Sequence, residues 1–312
     1  MAAIMKRIAP LPDYSPNLCL YHATCDDGFT AAWAIWLRWP LCEFRAVQYG
    51  QPAPDDVADK HVLIVDFSWP ADELERMAMS AQTVLVLDHH KTAEASLQGM
   101  HRIVRPTYEN VLRCFARMVG GPRERILVEF DMERSGARMA WNFAHPGSNP
   151  HILVNLVEDR DLWRFQFPET KPVRMLLQSV RHSFEGWCEV ADQLRTDLPG
   201  SVRTGQAIQR FYEARVEEMA DAAELQSIEG WENVPVAHVP YAFVSDVCHR
   251  LLQMHPTAPF AAACVTAHGG TTYSLRSDDG RQDVSAIAKA RGGGGHRNAA
   301  GFRLEQGSFQ NA

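Results

Sequence analysis

The 312-residue chain predicts an α/β N-terminal domain built on a parallel sheet, joined by a helix to a smaller α+β domain. Three observations carry that prediction. Short apolar runs alternate with stretches at helical spacing through the first third of the chain. A break at "DLPGS" is followed by one long helical pattern. From Val234 onward strand-like runs return, punctuated by the turn "HGG" and a run of glycines.

Taken in order, "LCLY", "FRAV", "VLIVDF" and "TVLVLD" read as strands. They are apolar without alternation, as strands are when helices cover both faces of a parallel sheet. "FTAAWAIWLRW" and "ADELERMAMSA" between them read as helices. Ser135 is placed to cap the helix "SGARMAWNFA", and "HILVNLVEDRDLWRF" reads as one helix whose acidic and aromatic residues fall late. Trp33, Trp36, Trp141 and Trp163 are assigned to the core by their spacing. The first domain is placed at residues 1–200. Ile208, Phe211, Tyr212, Arg215, Val216 and Met219 mark a connecting helix within 201–230. Residues 231–312 form the second domain: "VPVAHV", a helix opened by Ser245, a hairpin of "FAAACVTA" and "TTYSLRS", the helix "DVSAIAKA", and "GGGGHRNAAGFRL".

A content of 46% apolar and 22% charged residues is that of a globular protein with a sizeable core. The seven cysteines are odd in number and lack paired spacing, so they are expected to be reduced thiols in the cytoplasm. No apolar stretch approaches the roughly 20 residues of a membrane span, and "MAAIMKRIAPLPDYSP" lacks a signal-peptide core. A net charge of −7 argues against tight binding to long nucleic acid, which needs many basic residues to neutralise phosphates.

The chemistry-bearing residues recur at strand ends. His22 follows "LCLY", Asp66 ends "VLIVD", and Asp88, His89 and His90 end "VLVLD". In an open parallel sheet the carboxyl edge is where ligands bind, so these side chains are expected to share one crevice. Carboxylates with imidazoles suit Mn²⁺, Mg²⁺, Fe²⁺ or Zn²⁺, and one carboxylate can bridge two ions in the arrangement used on phosphate esters.

The motifs "HATCDDG", "VLIVDFS", "DHH", "VEDRD" and "GGGGHRNAAGF", in that order, resemble the DHH/DHHA1 phosphoesterase superfamily across nearly the whole chain. The resemblance implies an N-terminal metal-binding DHH domain and a C-terminal substrate-binding DHHA1 domain. It implies that His22 binds a first metal, that Asp66 bridges, and that Asp27, His89 and Asp159 complete the second. Asp88 would orient a histidine, and His90 would face the scissile phosphate. Where many members have Asp-x-Asp-Gly this chain has Cys25-Asp26-Asp27-Gly28, so either Cys25 or Asp26 stands in for the first aspartate. Asp161 is expected on the helix surface or hydrogen-bonded behind the ligands. Arg181 and His182 match no motif and are left unassigned.

In the second domain the glycine run before His296 is expected to form a shaped loop. Gly294 and Gly295 would present N–H groups to a phosphate beside His296, and Arg276 would contact a phosphate or a base. The implied activity is metal-dependent hydrolysis of short nucleotides: dinucleotides or nanoRNA, cyclic or linear, or 3′-phosphorylated nucleotides. Two divalent ions are expected, Mn²⁺ first, with Fe²⁺, Zn²⁺ or Mg²⁺ as alternatives. A short nucleotide is the expected partner, with no membrane and with a homodimer allowed. The rival readings are a nucleotide-binding module with reduced catalysis and a RecJ-like single-strand exonuclease.

Overall fold

The computed structural model describes residues 13–305 apart from Thr24 and His268, and it divides into two compact units with the boundary between Ile208 and Gln209. The first unit runs β1 (Leu18–His22), α1 (Asp26–Trp36), β2 (Glu43–Val47), β3 (His61–Val65), α2 (Ala71–Ala78), β4 (Thr83–Asp88), α3 (Lys91–Ser96), β5 (His101–Arg102), α4 (Val111–Phe115), β6 (Ile126–Phe130), α5 (Gly136–Ala144), α6 (Ile152–Asp161), α7 (Thr170–Gln178) and α8 (Phe184–Thr196). Helix α9 (Leu198–Asp221) carries the boundary between units.

The strands form a parallel sheet in the order β2-β1-β3-β4-β6-β5. The apolar runs of β1, β3, β4 and β6 are buried on both faces, as their lack of alternation predicts, whereas β2, which carries "FRAV" at the sheet edge, is largely exposed. Leu63, Val65, Leu85 and Leu87 face a core shared with Phe29, Trp33, Met139, Val154 and Trp187. The intervening Val62, Ile64, Val84 and Val86 face the other side, where Leu74 and Met77 of α2 close over them. Strand order changes direction about β1 and β3, which directs the ends of β1, β3 and β4 toward one edge. Such an edge is the ordinary place for a ligand in this architecture.

The second unit is a mixed sheet of β7 (Glu224–Ile228), β8 (Trp231–His238), β9 (Ala261–Ala267), β10 (Gly270–Arg276), β11 (Gly294–His296) and β12 (Ala299–Glu305), with α10 (Val244–Met254) and α11 (Val284–Ala290). The order is β11-β12-β10-β9-β8-β7, with β8 and β9 parallel and the other pairs antiparallel.

Several expectations are corrected. The linker placed at 201–230 is helical only to Asp221, and β7 within it is part of the second sheet. Ser245 does not open α10, which starts at Val244 after Phe243 with no side-chain cap, and the Ser245 hydroxyl instead accepts from Arg276 Nη2 at 3.0 Å. The glycine run is only half a loop: Gly292 and Gly293 form the turn after α11, and Gly294 and Gly295 are in a strand. Gly292, at φ 73°, follows the Arg291 C-cap of α11, and Gly294 and Gly295 belong to β11, paired with Gly301 and Ala300. A side chain on Gly295 would lie 2.5 Å from Ala300 Cα, so glycine is there for strand contact. Trp33 and Trp141 are buried and Trp36 is partly so, but Trp163 is 58% exposed. The spacing predicts a helix that continues past Trp163, yet α6 stops at Asp161.

Candidate metal centre

Helix α1 begins directly beyond β1, so His22 and Asp27 are delivered to the sheet edge from consecutive elements. Gly28 permits this close approach, since a Cβ there would lie 2.5 Å from the His22 carbonyl and 3.0 Å from Asp66 Oδ2. Asp27 is anchored by the start of α5: Gly136 N donates to its Oδ2 at 2.6 Å and Ala137 N to its Oδ1 at 3.1 Å. A carboxylate on a helix N-terminus satisfies amides that the helix itself leaves unpaired. The expected cap is in place there, with Ser135 Oγ accepting from Arg138 N. Arg138 then reaches α6, meeting Glu158 Oε2 at 2.6 Å and Asn155 Oδ1 at 2.6 Å, which fixes the helix that carries Asp161.

The polar side chains form a continuous array. His22 Nδ1 lies 3.7 Å from Asp66 Oδ2, Asp66 Oδ1 lies 3.0 Å from His89 Nε2, and His89 Nε2 lies 3.5 Å from Asp161 Oδ2 and 3.7 Å from Asp27 Oδ2. Three sets of ligand atoms each fall within 4.8 Å: His22, Cys25 and Asp66; Asp66, His89 and His90; Asp27, His89 and Asp161. Asp66 belongs to two of them and adopts a left-handed φ of 55°. Aspartate tolerates that conformation better than most residues, and here it turns the carboxylate inward off the end of β3.

The donor set fits divalent cations. His22 Nδ1 and Asp66 Oδ2 are both buried and neither has a hydrogen-bond partner. Two ligands each about 2.0–2.2 Å from one ion sit roughly 3–4 Å apart, which matches their separation. The charges agree. Burial pushes Asp27 well above the usual carboxylate range, and repulsion from Asp66 and Asp161 adds to it. Burial likewise raises Asp161, with Asp66 contributing. Burial also acts on Asp66, but the imidazoles of His22 and His89 outweigh it and hold this carboxyl below its usual range. For His89 burial opposes the charge, yet the Asp66 hydrogen bond and the carboxylates around it push the imidazole up to about 10. The cluster thus has more negative charge than its own residues neutralise, which a cation would relieve.

Asp88, fully buried, accepts from His89 N at 2.7 Å and engages His90 Nδ1 at 2.7 Å, both through Oδ1. Burial works against a charged His90, but Asp88 more than offsets it and raises the imidazole. Its Nδ1 thereby oriented, His90 presents Nε2 as the remaining ring nitrogen.

Two expected ligands lie elsewhere. Asp26 accepts from Gln178 Nε2 and faces His182 Nε2 at 3.4 Å, because successive helical residues diverge by about 100° and Asp27 already takes the inward direction. Cys25, in extended conformation before α1, joins His22 and Asp66 instead. Burial and the neighbouring carboxylates push its thiol well above the ordinary range. Asp159 is turned away from the array: its carboxylate accepts from Gln166 N, Phe167 N and the Thr170 hydroxyl. Asp161 occupies the place expected of Asp159. The two differ in helical phase: Asp161 falls in line with Val154 and Val157, whereas Asp159, the more buried of the two, falls in line with Leu156. Tyr49, unremarked in the sequence, sets its ring 5.3 Å from that of His22. In the second unit, Arg276 donates to Ser245 Oγ and to the Leu275 carbonyl, and the side chain of His296 lies outside the described residues.

The two aspartates separate by experiment. Asp161→Asn is expected to weaken Mn²⁺ or Zn²⁺ binding at least about a hundredfold with an unchanged melting temperature. Asp159→Asn is expected to cost about 1–3 kcal/mol of stability while metal stoichiometry is retained. Metal titration and thermal melts of both variants check this.

Among the described residues no helix is long and apolar enough to cross a membrane. No family model matches the chain. An uncharacterized protein of Acanthamoeba polyphaga mimivirus is 25% identical over 308 residues, covering 92% of this chain and 67% of its own length. The DHH domain of a member of the s1p family of ribosomal proteins superposes with a TM-score of 0.58 at 13% identity, covering 95% of this chain and 84% of that one. RecJ of Thermus thermophilus with Mn²⁺ gives a TM-score of 0.47 at 17% identity over 92% of this chain and 49% of its own. The fold is that of the DHH-domain proteins.

Proposed function

We propose that this chain is a metal-dependent phosphoesterase that hydrolyses short nucleotide substrates, dinucleotides or nanoRNA foremost. The observation that carries the reading is the unpartnered pair His22 Nδ1 and Asp66 Oδ2, buried 3.7 Å apart at one end of the donor array. His22, Cys25 and Asp66 would hold one ion, and Asp66, Asp27, His89 and Asp161 a second. Bound there, the ions would supply Lewis acidity and a lowered water pKa. The chain's own part is positional and electrostatic. The α5 amides and the Arg138–Glu158 pair hold the carboxylates in place, and Asp88 holds His90 in one orientation, its charge favoured, so that Nε2 meets a phosphoryl oxygen or donates a proton to the leaving oxygen. Cys25 makes the first position softer than an all-oxygen and imidazole site, which favours Zn²⁺ or Fe²⁺ there beside Mn²⁺ at the second. Free cysteines throughout the described residues suit the reducing cytoplasm.

The test is release of mononucleotide from a linear dinucleotide by protein loaded with Mn²⁺, Fe²⁺, Zn²⁺, Mg²⁺ or no metal, with bound metal quantified. Hydrolysis is expected only with metal. Tight dinucleotide binding without metal-stimulated cleavage would instead identify a binding module.

A further inference from the structure

The segment directly after Asp161 reads Leu-Trp-Arg-Phe-Gln-Phe, and it places aromatic rings where packing does not call for them. Trp163 is 58% exposed and Phe167 46%. Trp163 has φ 55° and Phe165 φ 49°. Bulky side chains are strained in the left-handed region, and such strain persists where surrounding structure over-determines it and concentrates at ligand sites. Trp163 N donates to the Arg160 carbonyl and Arg164 Nη2 to that of Glu133, but most of the loop's hydrogen bonds go to one residue. The Asp159 carbonyl accepts from Arg164 N and Phe165 N, while its carboxylate takes Gln166 N and Phe167 N. Asp159 therefore clamps the loop in a single shape.

The rings are interleaved with cations. Arg160 lies over Trp163 with its guanidinium carbon 4.7 Å from the ring centroid, and Lys171 Nζ lies 5.3 Å from that of Phe165. Trp163 meets Phe165 edge-on at 4.9 Å between centroids. The indole is thus contacted by a guanidinium and by the Phe165 ring, and more than half of the residue is still exposed. Only one residue separates Trp163 from Asp161, so their Cα atoms are within about 7 Å of each other.

We propose that residues 162–167 form a nucleobase-stacking platform, in which Trp163 carries the base adjoining the scissile phosphate and Phe167 extends the surface. Alternating rings and cations are what a single-stranded nucleotide needs, since each base offers a π-face and each phosphate a negative charge. An apolar protein partner would have no use for the cations. The platform rests on the reading of the neighbouring cluster as a phosphoesterase centre, and it narrows the substrate class to phosphodiesters that carry a base, with polyphosphate or a simple sugar phosphate as poor substrates.

Two variants and two substrates test it. Asparagine accepts a positive φ, so Trp163→Asn removes the ring with the loop backbone left in place. With the dinucleotide pApA, Trp163→Asn is expected to raise KM about five- to hundredfold and to keep kcat within about twofold, with Trp163→Phe restoring most of the loss. An abasic dinucleotide of the same length is expected to be hydrolysed equally by all three proteins. Equal effects on both substrates, or an unchanged KM for pApA, overturn the platform. A binding arm needs no turnover: equilibrium titration of wild type with AMP and with ribose 5-phosphate. Preference for AMP that Trp163→Asn abolishes supports the platform even if no substrate is cleaved, in which case the hydrolase reading alone falls. Equal binding of the two ligands, or no AMP binding, overturns the platform whatever the activity.

Discussion

Replacing Asp66 with asparagine is expected to lower metal-dependent dinucleotide hydrolysis by about a thousandfold, the equivalent of roughly 4 kcal/mol of transition-state stabilisation. Asparagine suits this position. It shares aspartate's tolerance of the left-handed backbone at φ 55°, and the hydrogen bond from Asp66 N to the Leu87 carbonyl is made by the main chain. What is lost is one negative oxygen. Asp66 is the carboxylate common to two ligand sets and faces imidazoles on both sides, His22 at 3.7 Å and His89 at 3.0 Å. Its neutralisation removes the charge that links the two ends of the array. An amide oxygen can still accept from His89, so the metal-free protein should melt near the wild-type temperature. The loss would therefore be chemical rather than structural. Bound metal per chain should fall in parallel with kcat, measured on the same preparations. Activity within tenfold of wild type, at undiminished metal content, would remove Asp66 from the centre of the mechanism.

Much of this arrangement is legible in the chain because parallel strands buried on both faces must be uniformly apolar, so their polar terminal residues stand out. His22, Asp66 and His89 announce themselves that way, and the structure brings them together. Legibility ends where a choice depends on helical phase or on backbone angles. Asp159 and Asp161 are two apart on α6 and point to different sides, and because Leu153 and Leu156 are buried as well as Val154 and Val157, the apolar pattern does not say which side meets the sheet edge. The same holds for Asp26 and Asp27, one residue apart on α1. The exposed Trp163 shares its helical-looking surroundings with buried tryptophans. Its distinguishing feature is a positive φ in a turn whose next residues, Arg164 and Phe165, bond back to the Asp159 carbonyl, a property with no local sequence signal. The glycine run has the composition of a flexible loop, yet the contact of β11 with β12 makes its second half a strand. Strand β6, "ILVEF", is an apolar run as clear as the others. Its one buried acid, Glu129, is paired with Arg134 at 2.6 Å, so it belongs to the scaffold and not to the ligand array.

Gly136 makes a second large effect predictable, because this residue is where the scaffold touches the centre. A Cβ built there would fall inside contact distance of Asp66 Cβ and 2.9 Å from Asp27 Oδ2, so Gly136→Ala has to displace both carboxylates or the start of α5. Overpacking of this kind costs about 1–3 kcal/mol of stability. The loss of activity should be larger than that destabilisation explains. At a temperature where the variant remains fully folded, kcat for dinucleotide hydrolysis is expected to fall about a hundredfold, since misplacement of catalytic groups by about 1 Å has that effect. The Gly136 amide that holds Asp27 at 2.6 Å moves with the backbone, which disturbs Asp27 and Asp66 together. Metal titration should show weakened binding, and calorimetry the modest loss of stability. A control at Gly147, where an added Cβ meets nothing within 4 Å but φ is 77°, suffers backbone strain without touching the site. Gly147→Ala should lose stability of similar size and keep its activity. If both variants lose activity equally, the effect at Gly136 is global destabilisation; if only Gly136→Ala does, the glycine's absent side chain is what lets the two aspartates converge.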